Sequence, residues 1–97
     1  MNVAVSWYQK DEWEKMKALS VDAETLDDDY ESWKKNANSL IASLKENGVV
    51  AQKVSVNAEK LLAWCQEQGR PLNGEARSAY AVHILQQRHE KSARGKT

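Results

Sequence analysis

The sequence predicts an α+β domain that is mainly helical, with about four helices and a short two-stranded antiparallel β pair. Apolar residues recur at helical spacing through most of the chain, and valines alternate with other residues in two short segments. A composition of 41% hydrophobic and 29% charged residues is typical of a globular protein. A chain of 97 residues has room for one domain, which we place at residues 1–88, followed by a flexible basic tail at residues 89–97.

The first half of the chain predicts a strand and two helices. Residues 2–6 alternate valine with small or polar residues, as a short strand does. Ser6 and Gln9 have the spacing of a capping box, which predicts a first helix over residues 8–19. A second helix is predicted over residues 27–47, because its apolar residues fall on one face: Tyr30, Trp33, Ala37, Leu40, Ile41 and Leu44.

The second half predicts the other strand and two more helices. Residues 49–56 carry alternating valines and are expected to pair with the N-terminal strand. Asn57 is a suitable cap for a third helix, which Gly69 ends. Asn73 is a second such cap, for a helix over residues 74–89. The centre of that helix is apolar on more than one face, which predicts that two sides of it are buried.

Three short motifs follow one another between residues 6 and 85. They are a Tyr-Glu-x-Trp helix, a Val-Ser-Val strand and a Trp-Cys helix, carried by Tyr30, Glu31, Trp33, Val54, Ser55, Val56, Trp64 and Cys65. The string Ser6-Trp7-Tyr8 precedes these motifs, and residues 74–81 follow them as part of the same resemblance. In this order they resemble a group of small bacterial proteins of unknown function. The resemblance implies a bacterial cytoplasmic protein of mixed helical type. It assigns no catalytic residue, because the group has no assigned activity.

The formal net charge of zero is a cancellation between two unlike halves. Residues 1–48 hold 6 basic and 10 acidic residues, a net charge of −4, and residues 49–97 hold 8 and 4, a net charge of +4. A neutral chain lacks the general attraction to polyanions, which argues against binding to nucleic acid or to anionic membranes. The polarity predicts docking between opposite faces, either within one chain or between two copies.

The chain has one cysteine, Cys65, and therefore no internal disulfide and no zinc-type cysteine spacing. A reducing compartment fits this usage, and no stretch is long and apolar enough for a membrane span, so we expect a cytoplasmic protein. The acidic run over residues 22–31 lacks the glycine of a calcium loop. We therefore expect no metal, no other cofactor and no contact with a membrane.

Four Trp and three Tyr supply all of the aromatic side chains, since the chain has no Phe. Such residues either fill a core or anchor a partner chain. We predict a small non-enzymatic interaction or accessory protein that binds a protein partner or a second copy. The predicted partner-binding residues are Trp7, Trp13, Trp33, Trp64 and Tyr80.

Two other functions stay open at this point. Cys65 and His83 lie on neighbouring predicted helices, and a thiol beside an imidazole is the minimum for a thiol-dependent enzyme. The turn between the last two helices also permits a helix-turn-helix nucleic-acid binder. Its base readers would be Glu75, Arg77 and Ser78, and its phosphate contacts would be Arg88, Lys91, Arg94 and Lys96.

Overall fold

Four α-helices and two β-strands make up residues 2–95, the part of the chain that the computed structural model describes; it describes side chains for residues 2–88. This confirms an α+β, mainly helical fold. In chain order the elements are β1 (Asn2–Trp7), α1 (Lys10–Leu19), a 3-10 turn (Ala23–Thr25), α2 (Tyr30–Glu46), β2 (Val50–Ser55), α3 (Ala58–Glu67) and α4 (Gly74–Gly95).

The two strands pair with each other as predicted, but the pair is parallel, so the antiparallel prediction was wrong. Asn2 lies opposite Val50 and Trp7 lies opposite Ser55. The reason is the connection between the strands, which contains α1 and α2. A connection that contains helices returns the chain to the starting end of the sheet, whereas an antiparallel pair is typically joined by a short turn.

Two of the three predicted helix caps are present in the structure, and the third is not. Asn57 Oδ1 accepts a hydrogen bond from the Lys60 backbone N–H at 3.0 Å, and Asn73 caps α4 in the same way at 3.0 Å. The capping box at α1 was wrong. Ser6 lies inside β1, and Gln9, which precedes the helix, makes no side-chain cap. Pairing with β2 holds the backbone extended past Ser6 and so prevents it from capping a helix.

The core lies where α1, α3 and α4 meet the ends of the strands. Its largest fully buried side chains are Trp13, Met16, Val54, Leu61 and Cys65. Burial of α4 is narrower than predicted, since Val82 in its apolar centre is 46% exposed. The helix nevertheless meets α3 as well as both strands, and the exposed Val82 lies on its remaining side. Likewise α2 has no fully buried residue in its whole length.

The backbone of α4 continues as helix to Gly95. The predicted domain boundary at residue 88 therefore falls within this helix, whose side chains after residue 88 lie outside the described part. Lys96 and Thr97, the end of the predicted basic tail, also lie outside the described residues. Between residues 2 and 95, no helix combines the length and the apolar character that crossing a bilayer requires.

Candidate interaction groove along the outer edge of β1

The two edges of β1 are distinguished by its backbone hydrogen bonds. The Trp7 carbonyl accepts from the Val56 N–H at 2.9 Å and therefore faces β2. Because N–H and C=O groups of successive residues in a strand point to opposite edges, Ala4 and Ser6 direct theirs away from β2. In the described residues the sheet has only these two strands. The outward groups of Ala4 and Ser6 thus lack a ladder partner.

A groove of about 320 Å³ follows this outer edge. One wall comes from the β1 face turned to α2 and the other from the face turned to α4, and no residue of β2 takes part. A groove that touches both faces of β1 without touching β2 must pass around the unpaired edge. Its lining residues are Ala4, Val5, Ser6, Tyr8, Met16, Leu26, Trp33, Leu40, Gly74, Arg77 and Ser78.

The two open edges of the sheet differ in charge. On β2 the outward positions include Lys53, whose amino group lies 3.9 Å from the centre of the Trp7 ring. A lysine on an edge strand discourages the addition of another strand. No residue of β1 is charged. The outer edge of β1 is therefore the unguarded one.

An ion pair closes one side of the groove and joins the acidic half of the chain to the basic half. Arg77 binds Asp22 through both terminal nitrogens, at 2.8 and 3.0 Å, and donates to Ser20 Oγ at 3.0 Å. Asp22 also accepts from the Gly74 N–H at the start of α4, at 3.0 Å. These contacts, the Arg77 hydrogen bond first, hold the pKa of the Asp22 carboxyl below its usual value. The pair is ionised near neutral pH and adds no net charge to the groove.

Tyr8 lies under the end of the groove and carries an unusual polar group. Its side chain is 2% exposed, and its hydroxyl has no hydrogen-bond partner among the described residues. Burial raises the pKa of Tyr8 to about 12, although the nearby Ser6 hydroxyl acts in the opposite direction. That Ser6 hydroxyl donates instead to the Arg77 carbonyl, at 3.4 Å. The phenol is thus neutral and buried, and by hydrogen-bond geometry it has no partner among the described residues.

The five predicted partner-binding residues are distributed over two aromatic clusters. Trp7 and Trp33 pack together with ring centres 5.2 Å apart, and Trp13 is buried in the core beside them. Trp64 and Tyr80 form a separate pair at 5.4 Å between α3 and α4. Trp33 is the one member of this set that lines the groove. Partner binding by the set as a whole stays a prediction.

Cys65 and His83 lie in different surroundings. The Cys65 side chain is 1% exposed, and desolvation raises the pKa of its thiol. His83 is partly exposed and stacks on Trp64, with ring centres 5.7 Å apart. Among the described residues, no hydrogen bond joins the thiol to the imidazole. A buried thiol with a raised pKa is the opposite of an activated nucleophile.

The residues predicted to contact nucleic acid differ in their exposure and in their contacts. Glu75, Ser78 and Arg88 are exposed, whereas Arg77 is held in the ion pair with Asp22. Lys91, Arg94 and Lys96 lie outside the residues whose side chains are described.

In the described part of the chain, no three His, Cys, Asp or Glu residues come together as a metal site requires.

Comparison with known proteins gives no relative: no family model, no curated protein and no solved structure matches the chain. The resemblance to small bacterial proteins accordingly stays a prediction.

The sequence motifs do not reveal the groove, since the groove needs α2 and α4 on either side of β1. One signal was readable in advance, namely that residues 2–7 form an uncharged strand while residues 50–55 contain Lys53.

Proposed function

We propose that this protein is a non-enzymatic protein-interaction module whose binding surface is the groove along β1. The observation that carries the proposal is the open strand edge with its apolar rim. Leu40 stands on this rim and is 53% exposed, on a helix with no fully buried residue. Exposed apolar side chains beside unpaired backbone groups are typical of surfaces that a partner covers.

The surroundings of Cys65 support a role without catalysis. A thiol-dependent enzyme needs a thiolate that substrate can reach, but this thiol is buried and its pKa is raised. Among the described residues, the groove offers hydroxyl groups and the Arg77–Asp22 ion pair but no base next to a nucleophile. Its chemistry suits recognition of a neutral chain segment.

Photocrosslinking in the native cell tests this proposal. A benzophenone amino acid replaces Leu40 at the rim of the groove, and in a matched control it replaces Val82, which is 46% exposed on α4 and outside the groove. We expect a discrete protein adduct from position 40, absent from position 82, that persists in a Cys65→Ala background. No adduct from position 40, or the same adducts from both positions, would overturn the proposal.

A further inference from the structure

We propose that the occupant of the groove is an extended, uncharged segment of a partner protein that adds to β1 as a third strand. This inference rests on the proposed function, and it names the chemistry of the partner. The segment would carry apolar side chains at alternate positions. Both features follow from the groups that line the outer edge of β1.

The backbone of the edge selects an extended partner. Ala4 and Ser6 turn their N–H and C=O groups into the groove, since Trp7 shows that the alternate residues face β2. A third strand lying about 4.8 Å from β1 is the arrangement that pairs these donors and acceptors in sequence. A compact ligand would reach one such pair, whereas a strand reaches all of them.

The two walls differ in polarity and so define a pattern for the segment. On the α2 side the groove presents Trp33 and Leu40, both apolar. On the α4 side it presents Gly74, Arg77 and Ser78, which are small or polar. Because successive side chains of a strand point to opposite faces, the segment should alternate apolar residues with small polar ones.

The electrostatics favour a neutral segment. β1 carries no charge, and the positive charge of the Arg77 guanidinium is balanced by the Asp22 carboxylate, to which it donates two hydrogen bonds. A charged side chain entering the groove would lose hydration without gaining an opposite charge. The groove thus complements an uncharged stretch of chain.

The same walls disfavour a second copy of this chain as the occupant. Leu40 from α2 and Ser78 from α4 stand on either side of the edge of β1. If β1 paired with β1 of a second copy, each copy would carry its own α2 and α4 walls beside the strand. The walls of the two copies would collide before the two strands reached hydrogen-bonding distance. A single strand without flanking helices has no such obstacle.

Titration of the full-length, ¹⁵N-labelled protein with two synthetic peptides tests the inference. One is an acetylated and amidated octapeptide that alternates valine and serine, and the other has the same composition with four valines followed by four serines. We expect the alternating peptide to bind about tenfold or more tightly than the block peptide. The amide signals of Ala4 and Ser6 should shift and exchange more slowly with solvent when it binds.

Backbone methylation of the alternating peptide separates strand pairing from simple apolar contact. Methylating the amides that face β1 should weaken binding about tenfold or more, while methylating the intervening amides should change it little. Ala4→Pro removes one outward N–H of β1 and should abolish binding. Ala51→Pro makes the same change on the outward side of β2 and should leave binding intact.

Three results would overturn the inference: equal binding of the two peptides, equal effects of the two methylation patterns, or shifts at Ala4 and Ser6 that follow protein concentration without peptide. The last would identify a second copy as the occupant. The methylation series uses the unaltered protein, so it remains decisive if Ala4→Pro does not fold. A Leu40 adduct in the cell without strand pairing would leave the interaction module standing and remove only the third strand.

Discussion

The unpartnered hydroxyl of Tyr8 leads to an unusual prediction, that its removal stabilises the protein. A buried hydroxyl without a hydrogen bond costs about 1–3 kcal/mol relative to its solvated state in the unfolded chain. Tyr8→Phe removes this cost and keeps the ring that packs edge-on against Trp33, with centres 5.5 Å apart. We expect the free energy of unfolding at neutral pH to rise by about 1 kcal/mol, or the melting temperature by about 4–8 °C.

A matched tyrosine supplies the control for this change. The hydroxyl of Tyr30 donates to the Tyr8 carbonyl at 3.1 Å, so Tyr30→Phe loses a hydrogen bond and leaves an acceptor unpaired. We expect Tyr30→Phe to lower the free energy of unfolding by about 1 kcal/mol. The same chemical change should therefore have opposite signs at two neighbouring sites.

The pH dependence of stability gives a second view of the same group. Burial raises the pKa of Tyr8 from 10.0 to about 12, so the unfolded chain ionises first as the pH rises. Tyr8 thus contributes stability that is fully present below pH 10 and is lost between about pH 10 and 12, by roughly 2–3 kcal/mol. Tyr8→Phe lacks this loss, so its advantage over the wild type should widen across that range.

Urea unfolding followed by Trp fluorescence measures all three proteins at pH 7, and repeated measurements at alkaline pH measure the titration. The difference between wild type and Tyr8→Phe isolates the one phenol from the lysines and tyrosines that titrate in both. A Tyr8→Phe protein that is less stable than the wild type by about 1 kcal/mol at pH 7 would refute the reasoning. That result would mean that the hydroxyl has a partner in the folded state.

Three further predictions concern other parts of the structure. Asp22→Asn should lower the free energy of unfolding by about 1 kcal/mol at pH 7, because Arg77 loses its counter-charge. The pKa of Asp22 is lowered in the folded protein, so the difference in stability between Asp22→Asn and the wild type should shrink as acid protonates this carboxyl. Cys65 should react with a thiol reagent only when urea unfolds the chain, and rapid labelling of the native protein would show that the thiol is accessible. Leu61→Ala should cost about 2–5 kcal/mol and Leu40→Ala less than about 0.5 kcal/mol in urea unfolding, whereas similar costs would mean that Leu40 is covered in the isolated chain.

The features predicted correctly from the sequence are those decided over a few residues. Asn57 and Asn73 cap helices because each cap involves a side chain and an N–H three residues later. Strand orientation and depth of burial depend on distant parts of the chain. Ser6 has the residue type and spacing of a cap, yet pairing with β2 holds it in a strand. Periodicity identified the apolar face of α2 but not how much of that face finds a neighbour.

The candidate site was less predictable than the fold, because its residues come from five separate segments. Arg77 was assigned to base recognition by its place near a helix start, but in the structure it is held by Asp22 from the other half of the chain. The charge polarity along the sequence did indicate attraction between the halves, without identifying this pair. Tyr8 gave no signal at all, since an unpartnered hydroxyl becomes evident only from the packing around it.

The exposure of Leu40 and the narrowness of the sheet have a common explanation in the proposed third strand. A helix is about 10 Å wide with its side chains, while two strands at about 4.8 Å spacing give a sheet about as wide as one helix. Leu40 of α2 lines the groove beside the outer edge of β1, where the described sheet ends, and it is 53% exposed. A strand added at the outer edge of β1 would lie under Leu40 and Trp33 and would extend the sheet in the direction in which the apolar face of α2 is uncovered. The helical periodicity over residues 30–44 counts Leu40 among the apolar positions, and the proposed third strand would cover this residue.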